Sequence, residues 1–66
     1  MWTVVYIASN MMRAEFLKEI LMSEGMLVRL RSICISHAGN GGPVEILVPE
    51  LEVEEANEIL ANAVTN

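Results

Sequence analysis

A nucleophile, a metal ligand or a proton shuttle in this chain has few side chains to come from. Cys34 is its single cysteine, His37 its single histidine and Lys18 its single lysine, and aspartate is absent. Cys34 and His37 stand three positions apart, a spacing found in metal pairs and in thiol–imidazole dyads. A structural zinc site, however, needs about four ligands, and a cysteine nucleophile needs an orienting group and an oxyanion site beside its base. The sequence offers neither set. Cys34 shares a two-residue alternation with Val28 and Leu30, which turns the thiol toward a core, where it is a small inert hydrophobe. His37 falls in a loop and reads as solvated.

The remaining chemistries fail in a similar way. Gly39-Asn-Gly-Gly42 could offer backbone N–H groups to a phosphate, but Pro43 and a strand follow it. A phosphate loop ends in Lys-Ser/Thr and opens a helix, so this segment reads as a hairpin connection. Lys18 lies on a charged helix face, so a pyridoxal-phosphate Schiff base, and with it amino-acid decarboxylation, is excluded. A Ser-His-acid set is missing, and paired-carboxylate catalysis needs a cleft for which 66 residues leave little room. The expectation is a non-enzymatic chain with no catalytic residues, no cofactor and no metal.

Charge is more informative. Nine glutamates against Arg13, Lys18, Arg29 and Arg31 give a formal net charge of −5. Nucleic-acid binding depends on neutralising phosphates with Lys and Arg, so nucleic acid is not an expected partner. Arg29 and Arg31 carry half of the positive charge. With Glu45 they form a cross-strand ion-pair patch, an anion or carboxylate site, or part of a dimer interface.

These residues are positioned by five elements. Trp2 to Ala8 is a β-branched and aromatic run that reads as a strand, apolar in both alternating sets and therefore covered on both faces or on one face plus a partner. Ser9 and Asn10 offer cap oxygens for a helix from about Met11 to Glu24. Its buried stripe is Ala14, Leu17, Ile20 and Leu21 with Phe16, Met12 lies at the core edge with Met26, and Gly25 ends it. Leu27 to Ile35 resumes a period of two, with Val28 and Leu30 on one side and Arg29 and Arg31 on the other. Val44 to Val48 is a third strand with Val44, Ile46 and Val48 inward and Glu45 outward, stopped by Pro49. A second helix runs from about Leu51 to Val64, with Glu52, Glu54 and Glu55 where the helix dipole favours negative charge and Val53, Ala56, Leu60 and Ala63, flanked by Ile59, as its buried stripe.

This β-α-β-β-α order predicts one α+β domain spanning residues 1–66, a split β-α-β unit of ferredoxin-like form. The third strand lies antiparallel between the other two and both helices cover one face. The opposite face then has no helices over it and the first strand is an unpaired edge, with no lysine, proline or bulge signal to protect it.

A domain this small buries about 60% of its unfolded surface. Disulfides, a metal or oligomerisation usually make up the shortfall. With one cysteine and no metal set, oligomerisation remains, and a composition 53% hydrophobic supports both a core and an interface. The free thiol suits a reducing compartment, and neither a secretory signal nor an apolar run of membrane-spanning length is seen. The expected setting is cytoplasmic, with no membrane partner.

The segments also resemble a known family. Trp2-Thr-Val-Val-Tyr-Ile-Ala8 leads into Ala14-Glu15 with Leu17 and Leu21, then the Glu24-Gly25 stop and Val28. Val44-Glu-Ile-Leu-Val-Pro49 precedes Glu54-Glu55-Ala56 and Ile59-Leu60. From about Val4 to Ala61 this pattern resembles the putative prokaryotic signal-transducing proteins, a small family of unknown function. The resemblance implies a ferredoxin-like fold, loosely comparable to the nitrogen-regulatory PII proteins, and a regulatory role. The long nucleotide-binding loop of the PII proteins has no counterpart in these residues.

The functional expectation is a regulatory or ligand-sensing module acting as a homodimer. The alternative is an interaction module that adds its edge strand or sheet face to an unidentified protein partner. Trp2, Val4, Tyr6, Arg29, Arg31, Glu45 and Leu47 are the expected interface or anion-binding residues.

Overall fold

The computed structural model describes residues 1–33 and 42–65; Cys34, His37 and the Gly39–Gly41 stretch lie outside them. The elements are β1 (Trp2–Ala8), α1 (Met11–Ser23), β2 (Arg29–Ser32), β3 (Val44–Pro49), a 3-10 turn (Glu50–Glu52) and α2 (Val53–Thr65). The sheet is antiparallel in the order β1-β3-β2, the ferredoxin-like α+β arrangement that the element order predicts.

Each helix is bounded by its own sequence. Asn10 is extended and its side-chain oxygen accepts from the Arg13 N–H at 2.8 Å, satisfying one of the free donors of the first turn. At the other end Gly25 takes φ +87, its N–H donates to the Met22 carbonyl at 2.9 Å, and the Met26 N–H donates to the Leu21 carbonyl at 3.3 Å. This paired closure is the Schellman motif, and Met26 is buried. α2 begins two residues later than its charge pattern predicts. Glu50–Glu52 form a tighter 3-10 turn first, with the Glu50 N–H donating to the Met1 carbonyl at 2.7 Å.

One core lies between the sheet and the helices. Ala14, Leu17 and Leu21 of α1 and Ala56 and Leu60 of α2 meet Ala8 of β1 and Val44, Ile46 and Val48 of β3. Ile20, Leu30, Val53, Ile59 and Ala63 pack around them, partly buried. Two sequence expectations fail on α1. Phe16 is 54% exposed and Met12 is also turned out, because consecutive helix positions lie about 100° apart and the stripe centred on Leu17 and Leu21 leaves both beyond its edge.

A third correction falls on β1. Trp2, Thr3 and Val4 pair with Pro49, Val48 and Leu47, but Tyr6, Ile7 and Ala8 pair with Ile46, Glu45 and Val44. Val5 is the extra residue of a β-bulge, where two residues of one strand oppose one of its partner. Val5 and Tyr6 both pack against the core, so strict alternation stops at Val4. The expected placement of Tyr6 beside Trp2 and Val4 is therefore wrong, and the edge strand does carry a bulge.

Candidate functional site

Cross-strand partners share a face, so the register defines the side of the sheet that the helices leave open. β1 gives it Trp2, Val4 and, past the bulge, Ile7; β3 gives Glu45, Leu47 and Pro49; β2 gives Arg29 opposite Leu47 and Arg31 opposite Glu45. Six of the seven residues singled out in the sequence meet here, and Tyr6 lies on the helix side. Ile7 was missed. It is 54% exposed, and its place depends on a bulge for which a run of β-branched residues without glycine gives no signal.

Two contacts organise the face. Arg31 Nε and Nη2 both reach Glu45 Oε1 at 2.6 Å across adjacent strands. The Arg29 guanidinium lies over the Trp2 ring, 4.8 Å from its centroid, within the range of a cation–π contact. Arg29 and Trp2 sit on the two outer strands with β3 between them, so this contact passes over the middle of the face. Leu47 lies there. It is 5% exposed, yet it is not part of the core between sheet and helices.

Charge is segregated between the two layers. Arg29, Arg31 and Glu45 leave the open face at net +1, while Arg13, Lys18 and the other eight glutamates carry −6 elsewhere. Trp2, Val4 and Ile7 keep apolar surface exposed beside these charges.

Among the described residues, the outer edge of β1 has no strand paired to it. The Glu50 to Met1 hydrogen bond sets the ladder phase, and in an antiparallel pair bonded and unbonded pairs alternate. Trp2 and Val4 thus fall at unbonded pairs, with their backbone groups turned away from β3. Pro49, opposite Trp2, lacks an N–H where none is needed on that side.

Other surfaces offer less. A depression of about 340 Å³ at the start of α1 is lined by Asn10, Met12, Arg13 and Phe16. Among the described residues, no group of three or more His, Cys, Asp or Glu side chains is placed to hold a metal ion, and no helix is long and apolar enough to cross a membrane.

A family model described as "Putative prokaryotic signal transducing protein" matches residues 2–64. The chain belongs to this family. That description is of a signalling kind and names no reaction. No curated protein and no solved structure matches the chain.

Proposed function

We propose that this chain is a non-enzymatic signal-transducing module of the cytoplasm that works by reversible association with a second copy of itself through the open sheet face. The family description supports the signalling role. The observation that carries self-association is the face itself, where exposed Trp2, Val4 and Ile7 of β1 lie along one side of the Arg31–Glu45 pair. A two-fold axis brings each such pair opposite its copy, so either arginine can meet the other copy's glutamate. The acidic helical layers then stay on the outside, away from each other. Placement in the cytoplasm rests on the free thiol of Cys34.

Sedimentation velocity over a wide concentration range tests this reading. The parent should move from monomer toward dimer by hundreds of micromolar. Trp2→Ser with Ile7→Ser should remain monomeric while keeping its fold, since both positions are exposed. A parent that stays monomeric throughout refutes the reading. It would favour the second one, in which β1, uncharged from Trp2 to Ala8, adds its free backbone groups to the sheet of a different protein.

A further inference from the structure

Leu47 poses a physical question. It sits on the sheet face that carries no helix, and it is nevertheless 5% exposed. Its neighbours on that face are Val4 and Arg29, one on each flanking strand, with Trp2 diagonal to it. The Arg29 guanidinium and the Trp2 ring come from the two outer strands and meet across β3. The aliphatic stem of an arginine covers apolar surface while its charged head stays in water.

We propose that Arg29 is a strap: in the single chain it lies across to Trp2 and covers Leu47, and docking of a second copy on this face displaces it. The inference rests on the self-association reading above and adds to it what controls the docking. The occupant follows from charge and area. The face is nearly neutral on a chain of net −5, so it is where two copies repel least. Its Arg31–Glu45 pair can exchange partners with the same pair of a second copy that keeps its acidic layer on the far side. Three strands about 4.8 Å apart and up to about seven residues long, at about 3.3 Å per residue, give a face on the order of 300 Å² in projection. Doubled over two copies, that lies below the roughly 1,200 Å² of a stable specific complex. The contact is therefore weak and reversible, and a small internal cost is enough to set its affinity. The strap supplies such a cost, because the Trp2 and Leu47 surfaces that a second copy would bury are already in use.

The decisive measurement is the sign of the effect of Arg29→Ala on self-association. The strap predicts a dissociation constant about five- to thirtyfold lower than the parent's. That corresponds to one exposed cation–π contact no longer broken in each of two copies, about 1–2 kcal/mol together. Arg29→Lys, which keeps the charge but loses the planar stack, should fall between the two. Trp2 is the single tryptophan, so acrylamide quenching of its emission in dilute protein reads the strap without any association, and it should rise in both variants. Affinity in Arg29→Ala equal to or weaker than the parent's, or unchanged quenching, overturns the strap while leaving self-association standing. Tightening in Arg29→Ala with Arg29→Lys identical to the parent also overturns it, since charge alone would then be the cause. If parent and variants are all monomeric at hundreds of micromolar, the self-association reading falls, and the strap with it.

Discussion

Replacing Leu17 by alanine removes a side chain that is 0% exposed and lies in the core beside Leu21, Ile46 and Leu60. Three buried carbons at about 0.8 kcal/mol each cost about 2.4 kcal/mol in transfer alone. The unfilled cavity adds to this, for a total of about 2–5 kcal/mol. A chain of 66 residues has roughly 3–10 kcal/mol of stability altogether, so the variant sits near or past the folding limit. Phe16 is the internal control, because it occupies the next position of α1 and is 54% exposed. Phe16→Ala should cost no more than about 1 kcal/mol. Urea and thermal unfolding followed by far-ultraviolet circular dichroism separate the two. At about 4–8 °C per kcal/mol, Leu17→Ala should lower Tm by on the order of 10–20 °C or abolish the transition, while Phe16→Ala moves it by a few degrees. The reverse ranking, or equal losses, would mean that α1 is rotated about its axis by roughly one position, and the core described above would be misassigned.

Three further outcomes follow from local geometry. Gly25→Ala meets no neighbouring atom, so its cost is the left-handed backbone alone, about 1–2 kcal/mol, and an unchanged urea midpoint would contradict the φ +87 assignment. Asn10→Ala should lose about 0.5–2 kcal/mol through the missing bond to the Arg13 N–H, whereas Asn10→Asp should retain most of it; equal losses in both variants would remove the cap explanation. Glu45→Arg should weaken self-association and adding Arg31→Glu should partly restore it, each cross-strand pair being worth about 0.2–1 kcal/mol and counted twice by two-fold symmetry. Sedimentation profiles in which both variants match the parent would place the contact elsewhere.

The legible parts of this fold were those written in residue type at fixed spacing. The stop of α1 at Gly25, the alternation of Val44, Ile46 and Val48, and the pairing of Arg31 with Glu45 follow from capping, pleat and register. The exposure of Phe16 and the bulge at Val5 were not legible, for related reasons. Phe16 is apolar on a helix whose apolar residues extend past the buried arc, and residue type alone does not say where that arc ends. The bulge at Val5 occurs in a strand whose residues are nearly all apolar, so no polar position marks the slip in phase. Of the candidate face, Trp2, Val4, Arg29, Arg31, Glu45 and Leu47 could be grouped from the sequence, whereas the place of Ile7 depends on the bulge and the Arg29–Trp2 contact on side-chain reach across β3.

The bulge also bears on chain length. If Val5 were deleted, the two halves of β1 would join into one regular ladder, with Trp2, Val4 and Ile7 still on the open face and Thr3, Tyr6 and Ala8 still under the helices. Val5 is thus the position in β1 whose loss leaves every other residue of the strand on its own face, while removing one side chain packed against the core. Its removal would, however, straighten an uncharged edge into a flat, continuous template of the kind to which further strands add without end. The shortened protein should fold and then form fibres at concentrations where the parent remains in solution. The extra valine gives the strand a finite edge.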